Sequence, residues 1–248
     1  MKITTLQESI NNATQKIALT KEQLFRLSDV LEPVTMEHEI SRTLDKALIE
    51  VTNAYGKMQT FVNFESSKKI ICSCFLNGFP ISIISIENVL YSAKEFTEKF
   101  PEYKTLGDIK EEKAFPIDLI WFNPNFPNIS PDAHSMSQVG IIANVSRYLE
   151  IKENFATYSI EAQKMTVSSN SPLVGNRQTR RKNKKKGQPE KTTVIKKVQF
   201  MSFPEPDIIE KTVMKRYNMT KRVVKEHSRR LRNGQVKTFP RKVYYKIS

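Results

Sequence analysis

Residues 69–84 of this chain read KIICSCFLNGFPISII. Two runs rich in β-branched and apolar side chains flank the dipeptide Asn77-Gly78, and both of these residues accept the positive φ angles of a tight turn. The pattern predicts a β-hairpin with one strand at Lys69–Leu76 and its partner at residues 79–84. We therefore expect a small sheet in this part of the chain.

Cys72 and Cys74 are the two cysteines of the chain, and both lie in the first strand of this hairpin. Residues two apart in a strand share one face, so the thiols could supply half of a zinc site. The sequence contains no second cysteine pair, and its three histidines are distant along the chain. We interpret the thiols as small buried side chains, and we predict no metal site and no cofactor.

Helical and strand patterns follow the hairpin. Apolar residues at helical spacing predict a helix over residues 85–99. The apolar run Ile117–Phe122 predicts a buried strand that contains the single tryptophan. Residues 139–151 and 154–165 fit either a hairpin or two short helices, and we favour strands.

The N-terminal segment has the pattern of one helix from Leu6 to Leu31. Thr5 and Glu8 fit a capping box, and the apolar residues that follow alternate at spacings of three and four, as in a heptad seam. Pro33 ends this helix, and residues 35–55 predict a second one. Two amphipathic helices with a short connection predict an antiparallel helical hairpin. The alternative is that the seam from Leu6 to Leu31 binds a protein partner or a second copy of the chain.

An acid, an imidazole and a hydroxyl lie together at Asp132, His134 and Ser135, in a loop predicted over residues 123–137. Catalytic triads are assembled from distant positions, whereas an Asp that follows a proline is typical of turns. The sequence also lacks a glycine-rich phosphate loop and the HExxH and GxSxG motifs. We therefore predict that the chain is not an enzyme. A nucleic-acid-processing enzyme without a recognisable motif is the alternative.

Positive charge is concentrated in the last part of the chain. Residues 177–248 contain 23 Lys and Arg against 5 Asp and Glu, whereas the preceding 176 residues contain 17 against 21. The net charge of +14 is therefore a property of one segment. A local block of positive charge attracts polyanions and speeds encounter with them, so the composition indicates a nucleic-acid partner.

The first basic element, which we call the basic arm, spans residues 177–186, and seven of these ten residues are Lys or Arg. Such a run repels itself and offers no apolar residues for a core. We predict a disordered arm that follows phosphates without reading bases. Its candidate nucleic-acid-binding residues are Arg177, Arg180, Arg181, Lys182, Lys184, Lys185 and Lys186.

A strand and a helix follow the basic arm. Residues 194–203 alternate enough for a strand, and Pro206 begins a helix with acids in its first turn and bases in its last. We expect this helix to turn four apolar residues inward, namely Ile208, Ile209, Val213 and Met214.

The second basic element is a hairpin predicted over residues 223–245, with its turn at Asn233-Gly234. Basic and aromatic side chains alternate along it, and such a ribbon suits groove binding or stacking on exposed bases. Its candidate binding residues are Lys225, Arg229, Arg230, Arg232, Lys237, Arg241 and Lys242.

Two short basic strings resemble sequences of phage-encoded proteins. The residues from Val224 to Val236, VKEHSRRLRNGQV, are similar to short basic tails of phage structural proteins and other phage-encoded proteins. The residues from Asn176 to Arg181, NRQTRR, resemble another short basic pattern of phage proteins. The resemblance implies a viral setting and transfers no catalytic residue.

The patterns together predict an α+β chain in three parts. Residues 1–163 form a protein-interaction domain with a helical hairpin, a small sheet and a helix, residues 164–192 form a flexible basic linker, and residues 193–248 form a small β-rich module. The predicted function is non-enzymatic binding of DNA or RNA with little sequence preference. The alternative is a virion or assembly structural protein whose basic part contacts packaged genome or an acidic protein surface.

The sequence predicts neither a membrane span nor a secretory leader. No apolar run approaches the roughly 20 residues that a span needs, and the first residues lack the apolar core of a signal peptide. We expect a protein that is not secreted and does not contact a membrane. It would be cytoplasmic or virion-associated, or nuclear in a eukaryotic host.

Overall fold

The computed structural model describes residues 4–34, 39–53, 56–100, 113–151, 157–169, 190–230 and 235–248. The helices are α1 (Leu6–Asn12), α2 (Lys21–Leu31), α3 (Ala93–Lys99), α4 (Pro131–Glu150) and α5 (Pro206–Arg216). The strands are β1 (Gln15–Thr20), β2 (Ala47–Asn53), β3 (Gly56–Phe64), β4 (Lys69–Leu76), β5 (Phe79–Glu87), β6 (Tyr91–Ser92), β7 (Lys113–Ala114), β8 (Ile117–Phe122), β9 (Thr157–Ser169), β10 (Glu190–Ser202), β11 (Met219–Val224), β12 (His227–Arg230), β13 (Val236–Phe239) and β14 (Lys242–Ile247).

Eight of the strands form one mixed sheet in the order β8-β5-β4-β3-β2-β1-β10-β9. β1 pairs in parallel with both β2 and β10, whereas the other neighbours are antiparallel. Parallel neighbours require a crossover connection, and α2 lies in the one between β1 and β2. This arrangement confirms the predicted α+β class.

The hairpin predicted at Asn77-Gly78 is confirmed. β4 and β5 pair in antiparallel register from Lys69 opposite Glu87 to Leu76 opposite Phe79. Asn77 has a φ of 50° and Gly78 a φ of 89°, the positive values that a type I′ turn needs at both central residues. Because β5 continues to Glu87, the helix predicted over residues 85–99 begins only at Ala93.

The structure corrects the helix predicted from Leu6 to Leu31. α1 ends at Asn12, β1 occupies the middle of the segment, and α2 begins at Lys21. Thr20, which fills a gap in the predicted seam, is the N-cap of α2 and forms a capping box with Gln23. The apolar spacing therefore reflects a strand between two helices.

The apolar residues of that seam lie inside the fold. Ile17, Leu27 and Leu31 are at most 1% exposed and pack in the larger core, while Leu6 and Ile10 cover a smaller cluster. Side chains buried in this way cannot form a coiled coil with a partner. The predicted protein contact through this segment is corrected accordingly.

The second predicted helix, over residues 35–55, is corrected as well. Arg42–Leu44 form a single 3-10 turn, and β2 follows in the interior of the sheet. Ile49 faces the larger core and Leu48 the smaller cluster, so β2 buries side chains on both faces. A strand of this kind has the continuous apolar pattern of a buried helix. Residues 35–38 and 54–55 lie outside the described residues.

The sheet separates two cores. Helices α2, α4 and α5 pack on one face, where the larger core includes Leu27, Ile142 and Ile209. α1 packs on the other face against a smaller cluster that includes Phe61 and Phe75. The C-terminal helix α5 is thus part of the same core as the N-terminal helix α2.

Residues 131–150 form α4, which replaces the predicted loop end and the strand predicted at residues 139–151. The Ser130 hydroxyl accepts from the backbone N–H of Ala133, Pro131 occupies the first turn, and Asp132 places a negative charge there. Pro131 precedes Asp132 in a pattern typical of turns, but in the structure it marks the start of a helix. None of the helices in the described ranges, α4 included, is long and apolar enough to cross a membrane.

β9 and β10 form a long antiparallel ladder at one edge of the sheet, from Thr157 opposite Ser202 to Ser169 opposite Glu190. The strand predicted at residues 194–203 is confirmed as part of β10, which also pairs with β1. Residues 170–189, which contain the basic arm, lie outside the described residues. Ser169 and Glu190, which flank this segment, are cross-strand neighbours. The segment therefore connects β9 to β10 within one sheet.

Candidate nucleic-acid interface

The part of the chain after the sheet consists of α5 and a two-stranded ribbon. α5 begins at Pro206, with an acid in its first turn and two bases in its last, as the sequence predicts. Ile209 and Val213, one turn apart, are fully buried, whereas Ile208 is 41% exposed. The expectation that Ile208 points inward is wrong, because the buried stripe passes through its neighbour.

Two antiparallel strand pairs form the ribbon. β11 pairs with β14, β12 pairs with β13, and one register runs from Met219 opposite Ile247 to Arg230 opposite Val236. These pairs correspond to the hairpin predicted over residues 223–245. The predicted turn lies in residues 231–234, outside the described residues.

A buried carboxylate fixes which face of β11 and β14 points inward. Glu210 of α5 is 6% exposed and accepts hydrogen bonds from Arg26 of α2 and Lys221 of β11. Lys221 is the cross-strand partner of Tyr245, which packs against the larger core. Residues directly opposite in an antiparallel pair share one face. Glu210 and the larger core therefore hold the two strands by the same face.

The pKa values in this cluster agree with an ionised carboxylate. Burial alone would raise the pKa of Glu210, but hydrogen bonds from Lys221 and Arg26 hold it below its ordinary value. Burial, followed by the negative charge of Glu210, raises the pKa of Tyr245 to about 12. Tyr245 is therefore protonated at neutral pH.

The opposite face of β11 and β14 points to solvent, and we call it the outward face. Arg222 and Tyr244 are cross-strand partners, and Lys242 and Lys246 lie two residues from Tyr244 along β14. Because side chains alternate along a strand, these four share one face. All four are exposed, Tyr244 by 51%. The outward face therefore presents three cations around one aromatic ring.

Glu210 neutralises charge on the inward face of β11 and β14. Residues 219–248 contain ten Lys and Arg against one Asp or Glu. Lys221 pairs with Glu210 on the inward face. Arg222, Lys242 and Lys246 form no ion pair with any residue that the structure describes. The positive potential of the ribbon is therefore directed toward solvent, where it attracts polyanions.

The strands β12 and β13 add cations at the far end of the ribbon. Arg229 and Lys237 are exposed cross-strand partners. Like charges directly opposite each other destabilise a β-pair, and a counter-charge between them removes the repulsion. The Lys237 ammonium lies 5.6 Å from the centroid of the Phe239 ring on the same face. This end of the ribbon is therefore also suited to an anionic ligand.

The structure describes part of the predicted binding set. The exposed candidates on the ribbon are Lys225, Arg229, Lys237, Arg241 and Lys242. The backbone of Arg230 lies in β12. The other candidates lie outside the described residues: Arg177, Arg180, Arg181, Lys182, Lys184, Lys185, Lys186 and Arg232.

The predicted set lacks Arg222 and Lys246, although both lie on the outward face. Each lies one residue beyond an end of the predicted hairpin. In the structure, Arg222 lies opposite Tyr244 and Lys246 lies opposite Thr220. The alternation of side chains along the last strand would have placed Lys246 on the same face as Lys242 and Tyr244.

A second group of polar side chains lies between α4 and the sheet. Thr60, Cys74 and Ser82 are neighbours in register on β3, β4 and β5. His134 and Gln138 of α4 cover them: the Ser82 Oγ lies 2.9 Å from the His134 Nε2, and the Thr60 hydroxyl donates to the Gln138 Oε1 at 2.6 Å. All five are buried. They satisfy one another's hydrogen bonds, as buried polar groups in a folded core do.

This buried group lacks the features of a reactive centre. Burial raises the pKa of the Cys74 thiol to about 11, so the thiol is protonated at neutral pH. Asp132 is exposed while His134 is buried, and the Ser135 hydroxyl donates to the Pro131 carbonyl. The local sequence cluster is thus not assembled into a triad. In the described ranges, no group of three or more His, Cys, Asp or Glu side chains could hold a metal ion.

Protonation of His134 should destabilise the fold at acidic pH. Burial lowers the pKa of His134, whereas an unfolded histidine titrates near pH 6.5. The unfolded chain therefore binds more protons, and the free energy of unfolding should decrease as the pH falls below about 6.5. Thermal unfolding between pH 7.5 and 5 measures this dependence. His134→Gln should flatten it, and an unchanged profile in that variant would show that another group is responsible.

No family model, curated protein or solved structure matches this chain. The functional conclusion therefore rests on the geometry of the described residues and on the charge distribution of the sequence.

Proposed function

We propose that the chain binds nucleic acid without catalysing a reaction, through the ribbon and the basic arm. The proposal rests on the difference between the inward and outward faces of the ribbon. Glu210 holds Lys221 inward and Tyr245 packs against the larger core, while Arg222, Lys242 and Lys246 point outward without acidic partners in the described residues. Phosphates supply the negative charge that pairs with these cations. Contacts to phosphates carry little sequence information.

The basic arm supports the proposal with charge from a second position. Its seven Lys and Arg lie in a segment bounded by the cross-strand neighbours Ser169 and Glu190. The ribbon instead follows α5, so the two basic elements are connected to different parts of the chain's fold, the arm to β9 and β10 and the ribbon to α5. A partner that carries charge along its length, such as a nucleic acid, can contact both.

The assembly role is an alternative that uses the same surface, since a packaged genome presents the same phosphates. The seam from Leu6 to Leu31 does not support it, because its residues pack within the fold. We therefore place nucleic-acid binding first.

Charge reversal on the outward face should weaken nucleic-acid binding at least about 30-fold. The triple variant R222E, K242E, K246E replaces three attractive contacts with three repulsive ones. Fluorescence anisotropy of a labelled 20-nucleotide probe with the full chain, at 100 mM salt, measures the dissociation constant.

The matched control reverses three exposed lysines in other elements, Lys21, Lys68 and Lys94, and changes the net charge equally. It should lose far less affinity than the ribbon variant. Equal losses would mean that net charge alone matters, and would contradict an interface on the ribbon.

A further inference from the structure

The Tyr244 ring is exposed at the centre of the outward face and makes no ring contact with the described residues. The neighbouring Tyr245 is different, because it points inward and packs against the larger core. Elsewhere in the fold, cations do lie over aromatic rings, as Lys99 does over Tyr91 at 4.4 Å. The Tyr244 ring is thus left accessible beside its cross-strand partner Arg222.

The spacing of the cations around this ring suits a chain of phosphates. Lys242 and Lys246 are four residues apart on one strand, which separates them by about 13 Å along β14. Tyr244 lies midway between them, with Arg222 directly opposite. An aromatic ring between cations has the chemistry of a platform on which a base stacks while its flanking phosphates are held.

We infer that the outward face takes single-stranded nucleic acid, with a base stacked on Tyr244 and the flanking phosphates held by Arg222, Lys242 and Lys246. This inference rests on the proposed nucleic-acid binding. In a duplex, neighbouring bases cover the base faces, so the ring has no base to stack on. A single strand exposes these faces, and stacking tolerates any sequence.

The remaining positions of the outward face favour the same ligand. They are Thr220 and Val224, the partners of Lys246 and Lys242. Asn and Gln, which read adenine edges in a duplex groove, are absent from this face of β11 and β14. The face therefore offers charge and one stacking ring.

The test compares a labelled 15-nucleotide oligothymidylate with a 15-base-pair duplex, using the full chain at 50 mM salt. Tyr244→Leu should weaken binding of the single strand about 10-fold and change duplex binding less than twofold. Tyr244→Phe keeps the ring and should retain the affinity. Phe79→Leu, at an exposed aromatic residue on another strand, should change neither affinity. Thermal unfolding of each variant checks that the fold is intact.

The outcomes separate the inference from the proposed function. Selective loss on the single strand, restored by phenylalanine, supports the inference. Equal losses on both probes, or no loss on either, would overturn the role of Tyr244 while leaving nucleic-acid binding in place. Failure of the wild-type chain to bind either probe would overturn both.

Discussion

Nucleic-acid binding by this chain should weaken roughly 300-fold to 2,000-fold when the salt concentration rises from 50 to 200 mM. Each phosphate contact adds about 0.9 to the slope of log K against log salt on a duplex and about 0.7 on a single strand. Six contacts over this range give the upper figure for a duplex and the lower one for a single strand. Six exposed bases of the ribbon could make these contacts: Arg222, Arg229, Lys237, Arg241, Lys242 and Lys246.

Anisotropy titrations at 50, 100 and 200 mM salt measure this loss on both probes. Contacts from the basic arm would make the loss of affinity larger. A loss of about tenfold corresponds to only two phosphate contacts. A result of that size would contradict an interface built from the whole ribbon.

Glu210→Ala should lower the free energy of unfolding by about 3 kcal/mol. The substitution removes the one carboxylate that Arg26 and Lys221 share, and leaves both cations without it. The Glu210 side chain is 8% exposed, whereas those of Arg26 and Lys221 are 29% and 32% exposed. Because solvent reaches both cations, the cost lies at the lower end of the range for broken buried pairs. Chemical denaturation at pH 7 measures it.

Asp207→Asn is the matched control for Glu210→Ala. Asp207 lies 3.9 Å from Arg26 with a side chain that is 81% exposed, so its removal should change stability little. Equal effects of the two substitutions would contradict the anchoring role of Glu210. Because the pKa of Glu210 is lowered in the folded state, its contribution is present above about pH 4.3 and is lost as the pH falls through the lowered pKa.

Local signals in the sequence predict the elements that depend on local chemistry. The positive φ angles of Asn77 and Gly78 follow from their residue types, so the hairpin between β4 and β5 could be predicted. The start of α5 at Pro206, with its acid and bases at opposite ends, could be predicted for the same reason. The last strands were partly predictable because basic and aromatic residues alternate along them.

The N-terminal segment could not be predicted from its periodicity. Ile17 and Leu19 alternate as in a strand, but Ile17 also fits a heptad when Thr20 occupies the next seam position. The strand exists because Ile17 lies between Ile49 and Met201, and these partners are distant in sequence. The capping box at Thr20 and Gln23 was a local signal for the break. Pairing at such distances is set by tertiary packing.

The outward face of the ribbon could be predicted only in part. Its charge is evident in the sequence, but the choice of Arg222 and Tyr244 as outward residues depends on Glu210 of α5 and Arg26 of α2. Arg26 and Glu210 are 184 positions apart. No local pattern relates these residues, so the sequence alone cannot separate the inward basic residue Lys221 from its outward neighbour Arg222.

The salt dependence of binding in the triple variant R222Q, K242Q, K246Q tests the outward face most directly. If these side chains contact phosphates, the slope of log K against log salt on oligothymidylate should become shallower by about 2, which is three contacts at about 0.7 each. The reference variant, in which Lys21, Lys68 and Lys94 are changed to Gln, should keep the wild-type slope. An unchanged slope in the ribbon variant would show that nucleic acid does not bind this face.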